Sequence, residues 1–501
     1  MKKINEVIKK VYGKYSEKVL QIGDGNFLRA FADWMIDEAN EKGLYKGSIV
    51  VCAPFTGAKV KALNDQDCVY TLIMRGLKNE KPVSISRQIT SISRAVKIKD
   101  DFETFLEIAE NPDLEIVISN TTEAGIVYTP ETHLTNECPK SFPAKMAVFL
   151  YKRYKTFKGL NDKGLIFLPC ELNECNADLL KEYIIKFSKD FNYEESFFTW
   201  LNNANVFANT LVDRIVTGYP KDKKEIETIE KELGYKDDML VASELYNLWI
   251  IEGGKDLENR LPFEKISANI LWVKNILEYN SMKVRLLNGA HTSLICAAFL
   301  AGHQFVLDSM QDKIFNDYLH CVLFDEIMPT LDLPKKDLIS FAKNVLERFE
   351  NPYLKHSLLD IALNSCAKFN TRCIPSILQY CKRMQKPPEF LSFAFAAFIK
   401  FYQGKMKDGI YKGNREDGLA YDIRDSAEVI DFFNNLQSKN LDEKEIVSAV
   451  LSNKSFWSNM DLTLIENLAG SVENYLRQIN KTSIKETLKR AVINYPIEKG
   501  E

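Results

Sequence analysis

Up to about residue 260 the chain alternates short β-type runs with amphipathic helical stretches, and beyond that point the strand signals stop. That switch limits the fold more than any other feature, because regular alternation predicts a parallel sheet with helices on its faces. Residues 18–22 (KVLQI) read as a first strand, 26–40 as the helix after it and 48–53 (SIVVCA) as a second strand. Residues 114–119 and 164–169 read as further buried strands, with helices over 101–109 and 144–157. The stretch 70–98 is also β-rich, but its charges fit an inserted or edge hairpin better than a central strand. No alternating strand pattern stands out after Leu261. The expectation is an α/β N-terminal domain over residues 1–260 and a mostly α-helical C-terminal domain over 261–501.

Composition narrows the classes of function. The 501 residues are 46% hydrophobic and 27% charged, the mixture of a packed protein long enough for two or three domains. A formal net charge of -3 supplies no global field for nucleic acid or an anionic membrane. The basic cluster Lys152, Arg153 and Lys155 fits a solvated helix face. Ten cysteines include no Cys-x-x-Cys pair, and the spacing around Cys170 and Cys175 is not that of a zinc site, so no metal is expected. The apolar run 294–301 is too short to span a bilayer, and no apolar leader opens the chain. Reduced thiols and a cytoplasmic location follow as expectations; the oligomeric state stays open.

The first strand runs into Ile22-Gly23-Asp24-Gly25-Asn26-Phe27-Leu28-Arg29, where a dinucleotide fold puts its phosphate turn. Glycines suit that turn because a Cβ would block it or keep pyrophosphate from the backbone N–H groups. The third glycine of the usual pattern is replaced by Leu28. The second strand ends in Cys52-Ala53-Pro54-Phe55 without the carboxylate that commonly binds the cofactor's ribose, so these residues do not decide NAD against NADP. Farther on, Lys283, Asn288 and His291 fall at about 0°, 140° and 80° on an ideal helix and share one broad face. A base and oxygen-holding donors are what oxidation of a secondary alcohol needs. The same three residues also fit a solvated lysine, a helix-breaking asparagine and a core histidine.

Taken together, Gly23-x-Gly25-x-Phe27-x-Arg29, Val212-Asp213-Arg214-Ile215 and Lys283-x4-Asn288-x2-His291 resemble the polyol-specific long-chain dehydrogenases, the mannitol dehydrogenase family. The strings 120–126 (NTTEAGI), 23–31 and 168–172 (LPCEL) are most similar to the branch acting on keto sugar acids. The resemblance implies a Rossmann-like N-terminal domain, a helical C-terminal domain, a metal-independent active site between them, and NAD as cofactor. It implies Lys283 as general acid/base, Asn288 as holder of the reacting oxygen and His291 as orienter. It places Asp213 near the site, although a helix-terminal charge paired with Arg214 is an equal alternative. Ile22, Gly23, Asp24, Gly25, Asn26, Phe27, Arg29, Asn120 and Thr121 are the expected cofactor contacts. Where mannitol dehydrogenases carry Cys-Asp-Asn this chain has Cys170-Glu171-Leu172, which removes a second oxygen donor; Asn173 or Asn176 would replace it only in a rearranged loop.

The implied reaction reduces D-tagaturonate to D-altronate, and the substrate carboxylate calls for a cation. The segment Lys368-Phe369-Asn370-Thr371-Arg372 resembles the family's substrate-facing stretch, which makes Arg372 the expected anchor, with Lys368 and His356 as weaker candidates. Fructuronate is the nearest rival substrate, followed by mannitol or mannitol 1-phosphate. A protein that binds NAD without catalysis is the alternative of another class.

Overall fold

The structure is a computed structural model that describes residues 1–78, 81–131, 137–267 and 269–495. The chain forms two compact units, Met1–Gly76 with Val83–Ile276, and Leu77–Pro82 with Leu277–Glu501.

The first unit is built on six parallel strands: β1 (Glu17–Ile22), β2 (Ser48–Ala53), β3 (Ile92–Lys97), β4 (Ile116–Ser119), β5 (Ile166–Pro169) and β6 (Val206–Phe207). They lie in the order β3-β2-β1-β4-β5-β6, the doubly wound Rossmann arrangement. The pleat sends Val19, Ile49, Val51, Ile116 and Ile118 into one core, and Leu20, Ile22, Val50, Cys52 and Val117 into another. Burial on both faces is why these strands read as continuous apolar runs. The helix Ala32–Glu41 contributes Met35 and Ile36 to the first core, and Phe142–Thr156 contributes Met146 and Phe149 to the second.

Three expectations need correction in this unit. The helix expected over 26–40 is broken at Ala30 and Phe31 into Asn26–Arg29 and Ala32–Glu41. Within 70–98, Tyr70–Lys78 and Lys81–Ile89 belong to a separate four-stranded sheet, but Ile92–Lys97 is a parallel edge strand of the main sheet. Its charges sit there without cost because Arg94 pairs with Glu17 at 2.9 Å and Lys97 with Asp100 at 2.7 Å. The basic cluster is solvated only in part: Lys152 and Lys155 pair with Glu110 and Glu194, whereas Arg153 is fully buried. Its guanidinium donates to the carbonyls of Ala109, Asn111, Leu114 and Lys163.

The second unit is mainly helical. The helices Ala290–Leu300 and Glu389–Phe401 are apolar almost all round, pack on one another and form its centre. The expectation of no strand after Leu261 fails twice. Ile270–Val273 pairs with Leu248–Glu252 in the first unit, and Gly404–Lys407, Ile410–Asn414 and Ala420–Asp422 form an antiparallel sheet in the second. Two stretches of the second unit, Lys283–Gly289 and Cys321–Ile327, are wound as π-helix.

Candidate active site

In the first unit the expected cofactor residues converge on the ends of β1 and β4, where the winding of the sheet reverses direction. Such a switch point leaves a crevice beyond the strand ends. Gly23 has φ of +127°, and a Cβ there would lie 3.0 Å from the Asn120 carbonyl oxygen. A side chain at Gly25 would project into open space, directly ahead of the first N–H groups of Asn26–Arg29. This cradle fits a dinucleotide phosphate: Gly23 allows the close turn against Asn120, and Gly25 leaves the space ahead of the turn free of a side chain.

The other expected contacts divide into two groups. Asp24 accepts from the Lys59 backbone N–H at 3.1 Å, and the Asn26 side-chain carbonyl accepts from Arg29 at 2.8 Å and from the Lys59 ammonium. Ile22 lies in the core, Phe27 stacks on Phe31, and Arg29 is 2% exposed with its guanidinium on the Met239 carbonyl. These three hold the turn in place, and the Nε of Arg29 is buried without a hydrogen-bond partner among the described residues. Asn120 donates to the Cys170 carbonyl at 2.8 Å, and Thr121 donates through its N–H and hydroxyl to Glu171, each at 2.9 Å. Glu171 also accepts from Ser119 at 3.0 Å. The buried carboxylate standing where the family has aspartate therefore ties β4 to β5, while Leu172 beside it is exposed. Asn176 is fully buried, donating to the carbonyls of Pro169, Glu171 and Thr210 and accepting from Thr210. No rearranged loop frees it to hold a substrate oxygen.

Asp213 is the last residue of the strand Thr210–Asp213, so the alternative of a helix-terminal charge is overturned. Arg214 does not depend on it: the guanidinium donates to the carbonyls of Glu244 and Ala30 and lies 4.7 Å from the Trp34 ring. Burial pushes the Arg214 pKa down to about 9.

In the second unit the polar residues gather on the π-wound segment. A turn closed five residues on brings residue i+5 roughly over residue i, as an α turn does for i+4. Asn288 therefore stands closer to the azimuth of Lys283 than ideal α-helical spacing predicts. The helices Lys335–Phe349 and Ser365–Arg372 pack against this segment. Gly289 admits the second of them, since a Cβ there would lie 3.0 Å from the Arg372 carbonyl oxygen. Arg285, on the same segment, instead braces the fold through Ser376 and Thr330.

His291 stacks on Phe349 with ring centroids 3.9 Å apart and meets His356 edge-on at 6.0 Å. Its Nε2 is enclosed and has no hydrogen-bond partner among the described residues. Burial, followed by the charges of His356, Arg348, Arg372 and Lys368, holds the imidazole well below the usual histidine range and therefore neutral. Burial and Arg348 likewise lower His356. Lys368 donates to the Ile361 carbonyl at 2.8 Å, and Arg372 makes one long bond of 3.4 Å to the Thr292 hydroxyl. Of the six expected residues of this unit, His291, His356, Lys368 and Arg372 thus share one electrostatic neighbourhood, on and around the stretch that carries Lys283 and Asn288. Sequence reasoning missed Phe349, Arg348 and Lys59, which carry no motif and arrive through tertiary packing.

Among the described residues no group of three or more His, Cys, Asp or Glu side chains is arranged to hold a metal ion, and no helix is long and apolar enough to cross a membrane.

Comparison with known proteins agrees with both halves. The family described as mannitol dehydrogenase Rossmann domain matches residues 17–265, and mannitol dehydrogenase C-terminal domain matches 275–480. Altronate oxidoreductase of Shigella flexneri is 40% identical over 482 residues, covering 95% of this chain and 97% of its own. The protein of the same name from Escherichia coli O139:H28 matches at the same identity and coverage. Among solved structures, D-sorbitol dehydrogenase in substrate-free form superposes with a TM-score of 0.79 at 18% identity, over 97% of this chain and all of the other. Mannitol 2-dehydrogenase of Pseudomonas fluorescens, in a ternary complex with NAD and D-mannitol, gives 0.65 at 20% identity over 97% and 96%. These two likenesses establish the shared fold.

Proposed function

The chain belongs to the mannitol dehydrogenase family, and on that premise we propose that it catalyses the NAD-dependent, reversible reduction of D-tagaturonate to D-altronate in hexuronate catabolism. The relatives at 40% identity are named for altronate, which supports that substrate over mannitol. The observation that carries the chemistry is the enclosed, unpartnered Nε2 of neutral His291, on the same helical stretch as Lys283 and Asn288 and beside Arg372 and Lys368.

A buried polar nitrogen without a partner costs free energy until a ligand satisfies it, and a sugar oxygen is such a ligand. As a neutral ring, His291 donates one hydrogen bond and accepts another, which orients a hydroxyl or carbonyl without adding charge. Asn288 supplies a second donor to the reacting oxygen. Lys283 protonates that oxygen during reduction and takes the proton back during oxidation. NADH, when bound on the Gly23–Gly25 cradle, supplies the hydride. Arg372 holds the substrate carboxylate, assisted by Lys368 and His356. In this assignment residues 1–260 bind the cofactor and 261–501 the sugar acid, while Asp213 is kept in the site on the family resemblance alone.

The test is the fall of NADH absorbance when purified protein receives tagaturonate, fructuronate, fructose or fructose 6-phosphate. Tagaturonate should give the highest kcat/KM. A higher value for fructuronate would reassign the substrate, and no turnover of any of the four would sink the enzymatic reading.

A further inference from the structure

We propose that the Lys59 ammonium holds the pyrophosphate of the dinucleotide, as a cation additional to the backbone donors of the phosphate turn. The inference rests on the NAD assignment above.

Lys59 lies six residues beyond the end of β2, on a loop that folds back over the turn. Its backbone N–H donates to the Asp24 carboxylate at 3.1 Å and its Nζ donates to the Asn26 side-chain carbonyl. Asn26 cannot move aside easily: the same oxygen accepts from Arg29 at 2.8 Å, and its Nδ2 fills the space where a Cβ on Gly218 would stand, 2.4 Å away. Two cations therefore share one neutral oxygen at the start of a helix, which is itself a region of positive potential. Asp24 accepts from the backbone N–H of Lys59, and its charge reaches the ammonium only as the weakest of the three influences on it. Lys97, beneath the same loop, is paired with Asp100.

An ammonium placed in this way is disfavoured by burial and by the Arg29 charge more than Asp24 favours it, and an added anion would offset that balance. Burial and the Arg29 charge lower the Lys59 pKa to about 8, with Asp24 partly opposing them. The doubly charged pyrophosphate is the anion that the cradle beside it fits. The helix behind Gly25 has four residues before the break at Ala30, so fewer aligned peptide dipoles face the phosphate than in an uninterrupted helix. Lys59 makes up that deficit.

Because a bound anion favours the ammonium, affinity should fall as pH rises through about 8. Fluorescence or calorimetric titration with NADH, NADPH and ADP-ribose, at pH 7 and pH ~9.5, tests this on the whole chain; ADP-ribose lacks the nicotinamide and so removes effects of the reacting centre. Wild type should lose about tenfold in affinity for all three between the two pH values, the scale of one charge-assisted contact. Lys59→Gln should lose about as much at pH 7 and become insensitive to pH, whereas Lys59→Arg should keep the wild-type affinity of pH 7 and hold it at pH ~9.5. A thermal melt of each variant separates lost binding from lost folding. Wild-type affinity in Lys59→Gln would overturn the proposal, as would a loss confined to NADPH, which would move the contact to the 2'-phosphate. A wild-type protein that binds none of the three would remove the NAD assignment itself.

Discussion

Arg153 and Arg214 in the first unit are buried and Arg372 in the second is half-buried, and their donors meet different fates. The first two direct their guanidinium groups at backbone carbonyls, four acceptors for Arg153 and two for Arg214. Arg372 makes one long bond among the described residues and adjoins a histidine nitrogen with no partner. A buried cation whose donors are all engaged ties loops to strands. A half-buried one that keeps donors unused is available to a ligand, and the fold bears its partial desolvation until that ligand arrives.

The sharpest way to break this comparison is to exchange the outcomes. Arg153→Met leaves four enclosed carbonyls without their donor, so stability should fall by about 3 to 5 kcal/mol. At roughly 2 to 4 °C per kcal/mol for a unit of this size, calorimetry should find the melting point lower by on the order of 10 °C. A melting point within a degree of wild type would show that water replaces the guanidinium without loss, and the divide would dissolve.

Lys283→Ala tests the opposite side. Turnover should fall by about 100-fold or more through loss of proton transfer, while the melting point and NADH affinity stay close to wild type. Near-normal turnover would remove Lys283 from the chemistry.

Arg372→Ala is the finer probe, because it asks whether unused donors are selective. Loss of a charge-assisted pair should lower kcat/KM for tagaturonate by roughly 10- to 150-fold, with a much smaller change for a neutral ketose of similar length. Arg372→Lys should recover part of the loss, since an ammonium keeps charge but not the planar fork. If both substrates decline equally, Arg372 belongs with Arg153 as a brace.

The same divide explains how much was legible in sequence. Strands β1, β2, β4 and β5 are continuous apolar runs because both faces of the sheet are covered, and that pattern needs no partner to be seen. Strand β3 is harder: Arg94 and Lys97 look like an edge hairpin until Glu17 and Asp100 are placed beside them. The Gly404–Lys407 and Ile410–Asn414 hairpin had a signal that went unused, the pair Asp408-Gly409, with φ of 51° and 76° as a tight two-residue turn requires. Lys283, Asn288 and His291 are candidates by residue type and spacing only together with the family resemblance, and Arg372 through that resemblance and the charge of a sugar acid. The roles of Glu171 and Asn176 as ties, and of Phe349 and Lys59 as neighbours, depend on contacts between segments far apart in sequence. No local pattern carries that information.

The π-wound segment between Lys283 and Gly289 adds one residue to a turn, and this makes chain length itself a component of the site. Insertion or deletion of one residue there would rotate everything beyond it by about 100° relative to what precedes it. His291 would then face away from Lys283 even though every side chain of the set was still present. Side-chain identity tolerates trial and error one position at a time, but this interval works as a gauge: it is either the right number of residues or the constellation is out of phase.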